Sequence, residues 1–314
     1  MMAPMTPPPR RTMRLIAAVA GLATLAGGCS WRMETPPIPS RTPTPTVVLR
    51  DAAAVREQAV IATADSTEAG LLEAELAPER LEALGGVYVE YPSASPAPSP
   101  SVEAATFAAA VTEAIDGALA DAADAASEDP GLAAMLRSIA LSHAMATTYA
   151  SLAGAEPAER TMPGSGGTGL LPRDGTAVDG DLLARLALAH DQAAFAYEVA
   201  AARAEEDERA DALKRSRIHA ARADALVALP GVEDLREPLY DVAPVDTASA
   251  TGRAAMEVAL ELALSEDYAA LIDGADDADV AWILDAAYDA FAAAAALPGF
   301  DASSVPVLPG LTTS

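Results

Sequence analysis

Lysine is nearly missing from this chain. Lys214 stands alone among 20 basic residues, set against 46 carboxylates and a formal charge of −26. So acidic a chain lacks the cationic footprint that neutralises phosphates, which excludes nucleic-acid binding as a function class. It also repels anionic headgroups, so any membrane attachment must come from something other than surface charge. Aromatic residues make up only 4% of the chain, and a core must therefore be built mainly from Ala, Leu and Val. Alanine is the best helix former, and alanine-rich helices approach one another closely. Cysteine occurs once, at Cys29, which excludes a disulfide framework and any cysteine cluster for metal or redox chemistry. The apolar run Leu15 to Leu25 is shorter than the ~20 residues that a membrane-spanning helix needs.

What is present at the N-terminus gives that lone cysteine a role. Arg10, Arg11 and Arg14 precede the apolar run, and Ala26-Gly27-Gly28-Cys29-Ser30 follows it. Charge, a short apolar segment and then small residues make the secretory-signal pattern. Ending on cysteine, it looks like a bacterial lipoprotein signal, with residues 1–28 removed and Cys29 carrying the lipid. Arg10-Arg11 suggests the twin-arginine export route, but Arg14 stands where that route has an apolar residue, which favours the general route. The expectation is a protein held at the extracytoplasmic face of the cell membrane through an N-terminal lipid anchor. Two buried acyl chains, at ~0.8 kcal/mol per methylene, anchor stably where one is marginal.

Downstream, the chain divides by composition. Residues 29–46 are a Pro/Thr-rich stalk, where repeated proline favours extended polyproline II. Residues 47–153 form an N-terminal helical region: helical patterns from Val47 to Ala64 and Ala69 to Leu84, a short extended segment Val87 to Tyr91, a low-complexity linker at 92–100, and a helical hairpin opened by Ser101. Residues 154–180 are a Gly-rich loop. Asp181 then caps the first of four helices over 181–298, with later breaks at Glu205–Glu208, at Pro238 and Pro244, and at Gly274. Thr247 or Ser249 caps the third of these. A tail covers 299–314. Four helices joined as two hairpins predict an antiparallel bundle in an all-α fold.

Several stretches in order carry a family resemblance: Arg32-Met33-Glu34, Pro37-Ile38-Pro39, His190-Asp191-Gln192-Ala193-Ala194-Phe195-Ala196-Tyr197-Glu198-Val199, Arg217-Ile218-His219-Ala220-Ala221-Arg222-Ala223-Asp224-Ala225-Leu226, Pro244-Val245-Asp246 and Pro309-Gly310-Leu311. The set resembles actinobacterial lipoproteins carrying a ferritin-like domain of unknown function. The resemblance implies a ferritin-like four-helix bundle over about 181–298 and a lipid-held exported product, with no known activity. Where relatives of that kind carry Glu-His, this chain has His190-Asp191, while the second family histidine is kept as His219.

A ferritin-type di-metal centre needs a Glu-x-x-His on each of two helices. Ala140, Ala187 and Ser216 stand three residues before His143, His190 and His219, so that signature is lacking. A reduced site of His190, His219 and Glu261, with Asp191 or Glu198, is the metal candidate. Two buried histidines bonding helix to helix is the competing reading. Glu257/Glu261 and Asp285/Asp289 are spaced to share a helix face, and in a chain with 46 acids they read as solvated pairs. Gly164-Ser165-Gly166-Gly167 has no preceding strand and no following lysine, so it reads as a loop. No nucleophile elbow, phosphate loop or dinucleotide fingerprint occurs. The sequence therefore predicts a non-enzymatic envelope binding or scaffold module, with no cofactor and an unidentified protein partner. A metal-binding protein or a receptor for a small apolar ligand are the alternatives.

Overall fold

Most helices open on a residue whose side-chain oxygen accepts from an otherwise unpaired first-turn N–H, as Thr44, Thr67, Thr106, Asp179 and Ser249 do. The computed structural model describes residues 43–88, 106–149, 170–240 and 247–311. Cys29, the signal segment, most of the stalk, the linker at 92–100 and most of the loop at 154–180 lie outside them. Among the described residues the structure is all-helical. The helices are α1 (Pro45–Thr63), α2 (Glu68–Ala83), α3 (Phe107–Ala125), α4 (Pro130–Tyr149), α5 (Gly180–Arg203), α6 (Glu206–Val227), α7 (Ala250–Ala269) and α8 (Asp277–Ala295), with a short 3-10 turn at Ala302–Ser304. None of them is long and apolar enough to cross a membrane.

The caps correct several sequence-based boundaries. Thr44 caps α1 and Pro45 takes its first turn, so the helix claims the last two residues assigned to the stalk. Thr106 caps α3, five residues after Ser101. Asp179 rather than Asp181 caps α5, and Ser249 rather than Thr247 caps α7. In each case the capping side-chain oxygen accepts from an N–H at the start of the helix.

The eight helices pack as two groups of four with the same connectivity. In the first, α1–α2 and α3–α4 are hairpins, with α1 against α3 and α2 against α4. The backbone N–H of Tyr88, just past α2, donates 2.7 Å to Asp51 near the start of α1, as an antiparallel pair requires. In the second group α5–α6 and α7–α8 are the hairpins, and α5 lies on α7. The N-terminal region is thus a second four-helix group rather than one additional hairpin. Its α1 and α3 meet through small side chains, including Ala53, Ala110, Ala114 and Ala118, all buried.

The two groups join through α4 and α8. Arg137 on α4 donates to the Ala275 carbonyl (3.1 Å) and to Asp277 (3.0 Å), and Thr148 pairs with the Tyr288 hydroxyl. The C-terminal tail lies along this seam: Ser138 and Ser142, one helical turn apart on α4, donate to the Pro309 and Pro306 carbonyls at 2.8 Å each. Three Leu-Pro-Gly turns recur, at Leu229–Val232, Leu297–Phe300 and Leu308–Leu311. Each is closed by the N–H of its last residue on the leucine carbonyl, and each glycine has a φ near +80°. The third sits in the seam, where a Cβ on Gly310 would come within 1.9 Å of the Ala269 carbonyl oxygen.

Candidate functional site

Each four-helix group buries a polar centre along a stripe that periodicity alone would assign to apolar residues. In the second group α6 presents Ser216, His219, Arg222 and Ala223 inward, ending on Leu226. His190 (α5) meets His219 through their Nδ1 atoms at 2.9 Å, and Glu261 (α7) accepts from His219 Nε2 at 3.0 Å. The three sequence-predicted candidates thus come together. Asp191 instead accepts a hydrogen bond from the Tyr240 hydroxyl at 2.7 Å, and Glu198 is exposed; neither joins the centre.

Arginine decides the character of this site. Arg215 grips Glu261 with Nε and Nη2, the latter at 2.6 Å, and reaches Asp289 on α8 at 3.3 Å. Arg222 donates to Asp289 at 2.7 Å. Tyr197 adds a hydroxyl to Glu261 at 2.9 Å and stacks on the His219 ring. Two guanidinium cations therefore balance two carboxylates. Burial works against the Glu261 anion, but Arg215 and His219 outweigh it and hold its pKa far below the usual range. Burial, together with neighbouring Arg222, keeps both histidines below the ordinary value, so both are neutral at neutral pH.

That charge state orients every proton. Glu261 can only accept, so His219 Nε2 carries hydrogen and its Nδ1 is a lone pair. His190 must then donate from Nδ1, leaving its Nε2 to accept from the Tyr268 hydroxyl at 2.6 Å. A single directed chain runs Tyr268 to His190 to His219 to Glu261.

The first group holds a centre that sequence reasoning missed except for His143. Glu57 (α1), Glu73 and Arg80 (α2) and His143 (α4) are all buried. His143 Nδ1 lies 2.9 Å from Glu73 and Nε2 lies 2.8 Å from Glu57. Both glutamates are acceptors and favour a doubly protonated ring, while the Arg80 Nη2 donor also lies 3.2 Å from Nδ1. Burial and Arg80 oppose that charge, yet the two glutamates prevail and raise the His143 pKa. Arg80 also donates to both glutamates and, at 2.9 Å, to Ser142. Burial raises the Glu73 carboxyl, but His143 and Arg80 bring it down to about 2. Two cations again meet two anions. The readable signal was Glu73 and Arg80 at a spacing of seven, repeated by Arg215 and Arg222.

The acid pairs read as solvated are buried, which corrects that expectation: Glu257 is 7% exposed, Glu261 0%, Asp285 8% and Asp289 4%. Glu261 and Asp289 enter because Arg215 and Arg222 neutralise them. Glu257 and Asp285 lie one turn away, each with an oxygen lacking a partner. Burial raises their pKa values to about 7 and about 8, with Glu208 adding to the effect at Glu257.

Among the described residues no group of three or more His, Cys, Asp or Glu is arranged to hold a metal ion. The donor chemistry gives the reason: the carboxylate and imidazole atoms that would face a metal face guanidinium groups or each other. A divalent cation added to either neutral centre would bring uncompensated charge into a dry interior. The residues present do not fit a ferritin-type metal centre. Comparison with protein-family models, with curated proteins and with solved structures finds no match to this chain.

Proposed function

We propose that this chain is an exported lipoprotein, held at the extracytoplasmic face of the membrane through Cys29, whose ferritin-like helical body serves as a non-enzymatic binding or scaffold module. The motif Ala26-Gly27-Gly28-Cys29 supports the anchor. Two four-helix groups of like connectivity, built on alanine-lined contacts, support the ferritin-like reading of the helical body. One observation carries the non-metal, non-catalytic reading: Arg80, Arg215 and Arg222 sit inside the polar centres and saturate the carboxylates there. Groups used up in this way stiffen helix packing and are not free to ligate a metal or a substrate.

The test is metal analysis of protein purified without chelator, alongside a His190→Ala/His219→Ala variant. Less than a tenth of an equivalent of iron, zinc or manganese in both samples is the expected result. A stoichiometric metal that the double variant loses overturns the reading. Incorporation of labelled fatty acid, abolished by Cys29→Ser, tests the anchor separately.

A further inference from the structure

We infer that Tyr268 is a one-electron donor whose phenolic proton stays inside the protein, making the second four-helix group a site for oxidation by outer-sphere one-electron oxidants. Two independent features meet at this residue. One is the directed hydrogen-bond chain from its hydroxyl into His190, His219 and Glu261. The other is its edge-on contact with Trp282, with ring centroids 6.2 Å apart.

A phenol is hard to oxidise in a dry interior because the radical cation is a strong acid and its proton needs a base. Tyr268 is wholly buried, and burial together with Asp289 raises its pKa, so simple ionisation is closed to it. A neutral imidazole nitrogen 2.6 Å from the oxygen supplies that base. When an electron leaves Tyr268, the O–H proton passes to His190 Nε2 and a neutral phenoxyl radical remains. The His190 Nδ1 proton can move on to His219 Nδ1, making His219 an imidazolium whose Nε2–H already donates to the Glu261 carboxylate. Each bond broken is matched by one formed, and the positive charge ends beside a carboxylate. Of the neighbouring buried tyrosines, Tyr288 pairs with the Thr148 hydroxyl, and Tyr197 donates to Glu261, a carboxylate far more acidic than an imidazole.

The electron's exit is Trp282. It is 8% exposed, whereas Tyr268 is 0% exposed, and its indole N–H donates 2.7 Å to Asp279. An oxidant at the surface takes an electron from Trp282, and Tyr268 refills it as its own proton moves to His190.

The experiment uses the intact folded protein with photogenerated ruthenium(III) tris-bipyridine as oxidant, and electron paramagnetic resonance of samples frozen at short delays. The expected result is a tyrosyl signal that is lost in Tyr268→Phe and kept in Tyr288→Phe. His190→Gln, which can accept the hydrogen bond but cannot take the proton, should form that radical roughly 100-fold more slowly, the contribution of a positioned base. Trp282→Phe should slow formation while leaving the signal's shape unchanged. Matching melting temperatures separate these effects from unfolding; if His190→Gln melts early, a rate slowed in heavy water for the unaltered protein takes its place. A signal that survives Tyr268→Phe, or formation rates unchanged both by His190→Gln and by heavy water, overturns the inference.

Discussion

Replacing Arg80 by Met tests whether charge closure holds the first four-helix group together. Methionine keeps much of the stem's length and apolar contact but removes the cation. Glu57 and Glu73 would then face His143 alone, leaving one uncompensated negative charge in a centre where no side chain is more than 1% exposed. Removing one partner from a buried ionic cluster costs about 3–5 kcal/mol. For a domain of this size that lowers the melting temperature by roughly 2–4 °C per kcal/mol. The sharper part is the second step. Adding Glu73→Gln to Arg80→Met restores neutrality as Glu57 against His143, and the glutamine oxygen still accepts from His143 Nδ1. The double variant should therefore recover roughly 1–3 kcal/mol over the single one, whereas Glu73→Gln by itself, leaving one excess positive charge, should destabilise. Urea unfolding followed by far-ultraviolet circular dichroism measures all four corners of the cycle. A double variant no more stable than Arg80→Met refutes the closure argument.

The two histidine centres should titrate in opposite senses. His143 has a raised folded pKa, so its stabilisation is complete below the unfolded value near 6.5 and is lost as pH rises through the folded value; His143→Gln should flatten the alkaline side of the stability profile. His190 and His219 have lowered folded values, so their stabilisation holds above the unfolded value and is lost as pH falls below it; His190→Gln should flatten the acid side, read from melting temperature against pH. Asp285, with its carboxyl raised to about 8, carries a penalty that builds as pH climbs from the ordinary carboxylate range towards that value. Asp285→Asn should accordingly raise the melting temperature in mildly alkaline buffer and leave it nearly unchanged near pH 4. Gly310→Ala forces a side chain into a left-handed backbone position and against the Ala269 carbonyl. It should cost at least about 1–3 kcal/mol and increase protease cleavage after Phe300, and an unchanged cleavage pattern would count against the tail's docking role.

Helices were legible because their signals are local. Asp181, the acidic break at Glu205–Glu208 and Gly274 each act within a turn or two, and the structure starts or ends helices within a few residues of them. The meeting of His190 with His219 was legible too, since both fall on inward stripes of consecutive helices. Arg215 and Arg222 were not, because a charged residue on such a stripe reads as exposed until its partner is known. Their partners Glu261 and Asp289 lie 46 and 67 residues downstream. Asp285 shows the same limit from the other side, an acid buried with burial alone setting its raised pKa.

By itself the sequence determined that this is an acidic, alanine-rich, helical chain with a single cysteine, and where most of its helices begin and stop. Periodicity and capping are properties of neighbouring residues, so no fold was needed to read them. Only the tertiary structure decided that the N-terminal region makes a second group of four, and that both groups close around two cations and two anions. It also set the histidines apart: Glu57 and Glu73 raise the His143 pKa, while burial, with Arg215 and Arg222 nearby, lowers those of His190 and His219. The physical reason is that a buried charge is tolerated only in the company of its opposite. That company is assembled from helices far apart along the chain.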